Sequence, residues 1–237
     1  MAVHRFRDRR EAGRALGAHL ARYRAQSPIV LGLPRGGVPV ADEVARALDA
    51  PLDTWIVRKV GAPMQPELGL GAVAEGGGVH LNEDVIAATG TTDAEVERIA
   101  TAKLREIEAR VAKFRGGAPP PDVHGRVVIV VDDGLATGGT ARAALRALRR
   151  RGPSKLVLAV PVGATVTLHA MLDDADVVEC PQPEDDLMAI GRFYVDFTQV
   201  TDDEVVAILE QARRVRPSQA GFRPAPPAGD RPSLRSR

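Results

Sequence analysis

The sequence predicts an α/β fold, a parallel sheet flanked by helices on both faces. Three observations carry that expectation. Short apolar runs alternate with helical patterns over roughly 150 residues. One run, Val127-Val-Ile-Val-Val131, is apolar throughout, as a strand covered on both faces requires. Two runs break at glycine-rich turns that lead straight into helices, where ligands sit in open sheets of this class.

Each element follows from its local pattern. Arg10 to Tyr23 sets Leu16 and Leu20 four apart, with Ala12 and Tyr23 near the same face, an amphipathic helix. Pro28 to Leu33 is a short apolar strand, broken by Pro34-Arg-Gly-Gly37. Val38 to Leu48 is helical again, with Pro39 suited to a first turn. Leu52 to Val57 is a second strand. Residues 58–78 hold six glycines and two prolines, so a long loop is expected, ending in a hairpin between Ala72–Ala74 and Val79–Leu81. Thr92-Asp-Ala-Glu95 is a capping box, in which each side chain satisfies the other residue's free backbone donor. The helix it opens carries Val96, Ile99, Leu104, Ile107 and Val111 on one stripe and stops at Gly116-Gly117.

The strand Arg126–Val131 feeds a glycine turn and the helix Ala141–Arg151. Lys155–Val160 is a strand, Val166–Leu172 a helix, and Ala175–Val178 the last strand. Residues 180–200 read as irregular and Asp202–Arg213 as a final helix. Beyond Val215, five arginines, five prolines and almost no large apolar residue describe a flexible tail.

Composition narrows the function. With 237 residues, 44% hydrophobic and 27% charged, one domain with a tail fits better than two. A net charge of +1 gives no global pull on nucleic acid or anionic lipid. Aromatics at 3% are too few for a single-strand stacking platform. Cys180 is the sole cysteine, so no intrachain disulfide forms. The five histidines show no zinc-ligand spacing. The start has no apolar leader, and the uncharged run Leu156–Leu172 is broken by Pro161 and Gly163 and falls short of a membrane span. The chain therefore reads as soluble and cytoplasmic.

The chemistry concentrates in two strand-to-helix turns, Leu33-Pro-Arg-Gly-Gly37 and Asp132-Asp-Gly-Leu-Ala-Thr-Gly-Gly-Thr140. Glycines let backbone N–H groups approach an anion, and the following helix adds its positive end. Glycine at such a turn is also simply the easiest corner, and for 33–37 both readings stand. In the second turn, Asp132 and Asp133 arrive at the end of a buried strand, where unpartnered carboxylates are costly. Cations, waters or hydroxyls must meet them. Ala136-Thr-Gly-Gly-Thr140 beside them is rich in donors and holds no acid. A diol-binding pair next to an anion cradle fits a sugar phosphate. A Walker loop fails because Thr140 stands where lysine should be, and the dinucleotide fingerprint is absent from both turns.

VVIVVDDGLATGGT at 127–140 resembles the phosphoribosyl diphosphate motif of the type I phosphoribosyltransferases, in the wording closest to adenine phosphoribosyltransferases. LGLPRGGVPVA at 31–41 is similar to that family's diphosphate loop, and RKVGAPMQPELGLGAVAEGG after the second strand resembles an uncharacterised bacterial branch. A type I phosphoribosyltransferase-like domain is expected over 1–214, the resemblance covering its core but neither the first 25 residues nor the tail. Its core is 28–180, its flexible loop 58–78 and its hood 180–200, with the tail at 215–237.

The resemblance also implies roles. Asp132 and Asp133 would hold the ribose hydroxyls, with Asp133 also a ligand of magnesium. Gly134, Ala136, Thr137, Gly138, Gly139 and Thr140 would wrap the 5-phosphate. Arg35, Gly36 and Gly37 would bind diphosphate across a peptide that is cis in many members. Asp132, Asp133, Arg35 and Lys59 are the catalytic candidates, with Arg58 and Lys59 supplying cations from the loop, unless they are an ordinary basic pair at a strand end. Ala136 stands where 6-oxopurine members carry an aspartate, which argues against that chemistry. Three of eight aromatics, Phe193, Tyr194 and Phe197, fall in the hood, where they would either stack on an acceptor base or pack the hood down.

The implied activity is transfer of phosphoribose to a nitrogen acceptor, with phosphoribosyl diphosphate, a base-like acceptor and Mg2+ as partners. The alternative is a non-catalytic sensor of phosphoribosyl diphosphate. Arg142, Arg146, Arg149, Arg150 and Arg151 make a basic helix face, but nucleic acid and membrane are not expected partners. A homodimer is the candidate assembly.

Overall fold

The computed structural model describes residues 5–76, 78–116 and 118–215. The chain opens with α1 (Arg9–His19), capped by the Asp8 side chain at the Glu11 N–H, and a 3-10 turn at Ala21–Gln26. Then follow β1 (Ile29–Gly32), α2 (Gly37–Leu48), β2 (Leu52–Thr54), β3 (Val57–Ala62), β4 (Gln65–Ala74) and β5 (Gly78–Leu81). Next come α3 (Glu83–Thr89), α4 (Asp93–Arg115), β6 (Val127–Val131), α5 (Gly139–Arg149) and β7 (Lys155–Ala159). The chain continues through β8 (Val162–Ala164), α6 (Thr165–Ala170), β9 (Val177–Glu179), β10 (Gln182–Glu184) and α7 (Asp202–Val215). The uncharged run Leu156–Leu172 thus falls on strand, strand and helix. No helix among the described residues is long and apolar enough to cross a membrane.

Five strands form one parallel sheet in the order β2-β1-β6-β7-β9. Strand alternation sorts its side chains to two faces. Val30, Ile129, Val131, Val157 and Ala159 pack with the apolar faces of α1, α2, α4 and α7. Ile29, Leu31, Val128, Val130, Leu156 and Leu158 pack with Ala144, Leu145 and Leu148 of α5. The expected helix-covered parallel sheet is the architecture found.

Three expectations are corrected. The strand anticipated over Leu52–Val57 is two strands, parted at Trp55-Ile56 where the chain leaves the parallel sheet. Residues 58–78 are not a long loop: β3, β4 and β5 form an antiparallel three-stranded sheet. Its glycines serve close strand approach, since a Cβ on Gly71 would run into the His80 carbonyl. Val60, Leu70 and Val73 bury toward the α4 side, while Val57, Ala72 and Ala74 bury toward α5. The hairpin expected at 72–81 is present as the β4–β5 pair. Within 180–200, β10 pairs with β8 and a 3-10 turn runs Ile190–Phe193, so that segment is partly regular. The final helix extends to Val215, and the expected tail at 216–237 lies outside the described residues.

The capping box is present at Thr92 and Glu95, and α4 ends on Gly116 in the left-handed region. Arg115, the last residue of α4, is fully buried between Asp53 (Nε–Oδ1 2.7 Å) and Glu75 (Nη2–Oε1 2.7 Å). That triad ties α4 to both sheets.

Candidate functional site

Strands β1 and β6 lie side by side, but the chain leaves β1 toward β2 and leaves β6 toward β7. This reversal of strand order opens a crevice at the carboxyl ends, the usual ligand position in open α/β sheets. Both glycine turns end there. The Leu33 N–H donates to the Val131 carbonyl (2.8 Å). A Cβ on Gly37 would stand 2.6 Å from that carbonyl oxygen and 2.9 Å from Asp132 Cα, and one on Gly36 would overlap the Asp133 carboxylate. The two turns therefore meet backbone to backbone, which any side chain at either glycine would prevent. The Pro34–Arg35 peptide is cis.

Asp132 and Asp133 follow β6, both half-buried. The Asp133 N–H donates to Asp132 Oδ1 (2.9 Å). Arg9 Nε donates to Asp133 Oδ2 (2.7 Å), with the two side chains only 11% and 16% exposed. No other described residue donates to Asp132 Oδ2 or Asp133 Oδ1. Burial, and then the neighbouring Asp133 charge, raise the Asp132 carboxyl well above the ordinary carboxylate range. Burial raises Asp133 too, while Arg9 opposes it. Crowding two carboxylates in a half-buried place favours a partner that brings a proton or positive charge.

Leu135 anchors the rest of the turn. Its N–H donates to the Val162 carbonyl (3.0 Å), and its own carbonyl accepts from the Ala164 N–H (2.8 Å). Thr167 Oγ1 donates to the Ala136 carbonyl (2.6 Å). Gly138 precedes α5 in the left-handed region (φ 73), where a Cβ would lie 2.8 Å from Thr167 Cγ2. No side chain caps α5, so its first amides point outward unpaired along the positive helix end. Thr137, Gly139 and Thr140 are exposed there, and a Cβ on Gly139 would meet nothing within 4 Å. Gly134 backs against Ile190 of the 180–200 segment.

The remaining residues singled out in the sequence lie around this crevice. Arg35 is half-buried and faces Asp202 at the start of α7 (Nη1–Oδ1 3.7 Å). Arg58 of β3 faces Glu106 of α4 (Nε–Oε2 3.9 Å), whereas Lys59 points outward. Phe193 and Tyr194 are buried, so their rings serve packing. Tyr194 stacks on Phe197 (4.9 Å between centroids), leans on Phe6, and donates its hydroxyl to the Asp133 carbonyl (2.6 Å). Phe197 keeps a third of its surface open and carries the Arg9 guanidinium 3.9 Å above its ring centre. The basic face of α5 is occupied internally: Arg142 and Arg146 pair with Asp174, and Arg149 with Asp176.

Arg9 is the principal residue that sequence reasoning missed. It lies 124 positions before Asp133 in an ordinary helix start rich in arginine, so no local pattern marks it. Burial pushes the Cys180 thiol up to about 11.

The family model for the phosphoribosyl transferase domain matches residues 8–198. A Mycobacterium tuberculosis protein that carries a provisional phosphoribosyl transferase name is 46% identical over 209 residues, covering 88% of this chain and 47% of the relative. The chain thus spans about half the length of that relative. A crystal structure of a Thermus thermophilus protein is 43% identical with a TM-score of 0.78, covering 87% of this chain and 98% of that one. A uracil phosphoribosyltransferase from Lactobacillus gasseri is 37% identical over 76 residues, 32% of this chain and 36% of its own length.

Proposed function

The chain belongs to the phosphoribosyl transferase domain family, and from that premise we propose that it transfers a 5-phosphoribosyl group from phosphoribosyl diphosphate to a nitrogen acceptor, a nucleobase or base-like ring, releasing diphosphate. One observation carries the reading. At the switch between β1 and β6, two carboxylates with free oxygens stand beside an uncapped, open helix N-terminus. That is an acceptor pair for a diol next to a donor set for a phosphate.

Asp132 and Asp133 bind the ribose hydroxyls. The backbone of 136–140, with Thr137 and Thr140, holds the 5-phosphate. Arg35, with the amides of Gly36 and Gly37, holds the diphosphate, and Arg58 and Lys59 add charge from β3. In the free protein Arg9 keeps Asp133 from standing as an isolated half-buried anion.

The residues present also fit magnesium. Both acids offer hard oxygens that no other described residue fills, and their mutual repulsion is relieved by a divalent cation. Among the described residues no cluster of three or more His, Cys, Asp or Glu that could hold a metal exists. Asp133 and Asp132 would hold magnesium, and when bound it neutralises charge on the leaving diphosphate.

The chain's own work is then positioning. Breaking the bond from C1 to diphosphate leaves a cation-like ribose ring, and the acceptor nitrogen approaches from the opposite face. The acids and the phosphate cradle fix the ring, while the guanidiniums stabilise the departing charge. The acceptor lies under the 180–200 segment, where Phe197 keeps a third of its surface open beside Arg9 and Tyr194. The tip of the β3–β4 hairpin, with Met64 almost fully exposed, is the candidate cover against water.

Calorimetric titration of phosphoribosyl diphosphate with magnesium into the native chain and Asp133→Asn tests the site. The expected result is at least a tenfold loss of affinity with unchanged far-UV dichroism; equal affinities overturn the assignment. A panel of purine and pyrimidine bases, assayed for diphosphate release, then identifies the acceptor. Tight binding with no turnover on any base would make the protein a sensor instead.

A further inference from the structure

Helix α4 carries Lys103, Glu106, Arg110 and Lys113 at spacings of three, four and three, which places them on one stripe. That stripe runs beside Arg58 of β3 and, through Asp202, approaches Arg35 of the first glycine turn. Glu106 faces Arg58 at 3.9 Å and is bonded by Lys103 at 2.8 Å. Lys113 faces Asp202 at 3.8 Å, and the same carboxylate faces Arg35 at 3.7 Å. Arg110 stands between these two acid bridges, about one helical turn from each.

Arg110 is half-buried, yet it makes no hydrogen bond or ion pair with any described residue. Its nearest influence is on another cation: burial first, and Arg110 second, weaken Arg58's hold on its proton, and Arg35 acts in the same sense. The acids do not balance the group. Both guanidinium contacts to Glu106 and Asp202 are longer than a hydrogen bond, Lys103 and Lys113 share those acids, and Asp203 is mostly in solvent. Asp202 Oδ1 itself has no hydrogen-bond partner. Gathering guanidiniums with too few carboxylates raises the local potential for an anion, and guanidinium forks are the groups that match phosphate oxygens.

We propose that Arg110 completes, with Arg35 and Arg58, a three-guanidinium site that grips a diphosphate group at the mouth of the 33–37 turn. The three side chains come from a turn, a strand and a helix. A diphosphate, with several negative charges on two phosphorus centres, can engage three guanidiniums where a single phosphate engages fewer. The inference rests on the reading that this turn receives the diphosphate end of the substrate; the new element is a contact from α4, outside both glycine turns.

Inorganic diphosphate and, separately, inorganic phosphate are titrated calorimetrically, without divalent metal, into the native chain, Arg110→Gln, Arg110→Lys and Asp133→Asn. The expected result is that native protein binds diphosphate more tightly than phosphate. Arg110→Gln should lose at least tenfold for diphosphate, Arg110→Lys should recover part of it, and Asp133→Asn, which removes a negative charge beside Gly36, should bind diphosphate at least as tightly as the native chain. Thermal unfolding of Arg110→Gln should be unchanged, since Arg110 bonds to no described residue in the free protein. If diphosphate does not bind the native chain, or binds Arg110→Gln equally well, the proposal is overturned. Phosphoribosyl diphosphate separates the two readings. Loss on Arg110→Gln with no dependence on Asp133 keeps this site and removes the phosphoribosyl reading. Dependence on Asp133 with none on Arg110 does the reverse.

Discussion

A single methyl group distinguishes the glycines that build this crevice from one that merely lines it. On Gly36 it would strike the Asp133 carboxylate, and on Gly139 it would project into open space. Gly36→Ala is therefore expected to displace Asp133 from Arg9, destabilise the fold by about 1–3 kcal/mol and abolish tight phosphoribosyl diphosphate binding. Gly139→Ala, in the first turn of α5, should leave thermal stability unchanged or raise it by up to about 1 kcal/mol. Thermal melts of both variants, each with a ligand titration, check the contrast, and equal melting points would contradict it. Arg9→Gln is predicted to loosen the 180–200 segment, because Arg9 alone links the Asp133 carboxylate, the Phe197 ring and the Thr198 carbonyl. Hydrogen exchange should quicken at residues 194–198 while the amides of β6 and β7 stay protected. The acids and the two glycine turns were legible in the sequence because strand, turn and helix are contiguous there. Arg9 was not, since tertiary packing alone brings it to the crevice.

The antiparallel sheet β3–β4–β5 shows where pattern reading fails at the scale of an element. Glycine and proline density argued for a loop, but Gly61 lies at register shifts between β3 and β4 and Gly71 at a close approach of β5. Glycine in a strand marks a bulge or a near backbone as readily as a break. By contrast, the valine run of β6 and the Thr92–Glu95 box each specify their element within a few residues, and both are present. The sheet is held at its base between α4 and α5, so its strands should unfold with the core. Leu70→Ala, at a fully buried β4 position, is expected to cost about 2–5 kcal/mol in a single urea transition. Met64→Ser, at the exposed hairpin tip, should change stability by less than about 0.5 kcal/mol. A separate early transition in Leu70→Ala would mean that the sheet is an independent flap.

At the scale of the whole molecule, the parallel sheet, the antiparallel sheet and α4 are joined by one buried ionic triad. Arg115 from α4 meets Asp53 of β2 and Glu75 just past β4, all three side chains at most 5% exposed. One guanidinium cannot balance two carboxylates, and Glu75 Oε2 and Arg115 Nη1 have no partner. Burial, which outweighs the attraction of Arg115, pushes the Glu75 carboxyl up to about 7 from its ordinary 4.5. The native state therefore binds a proton more tightly than the unfolded chain does. The resulting stabilisation is fully present below about pH 4.5 and is lost as pH rises through about 7. Glu75→Gln should remove that slope: the difference in urea-derived stability between native and variant protein should shift toward the variant between pH 4.5 and 7 and then level off. Arg115→Met leaves Asp53 as an uncompensated buried charge and should lose about 3–5 kcal/mol at neutral pH. If the two stability profiles run parallel through that window, Glu75 stays ionised in the folded protein. Arg115 would then be balancing both acids, and the cost of Arg115→Met should be larger still.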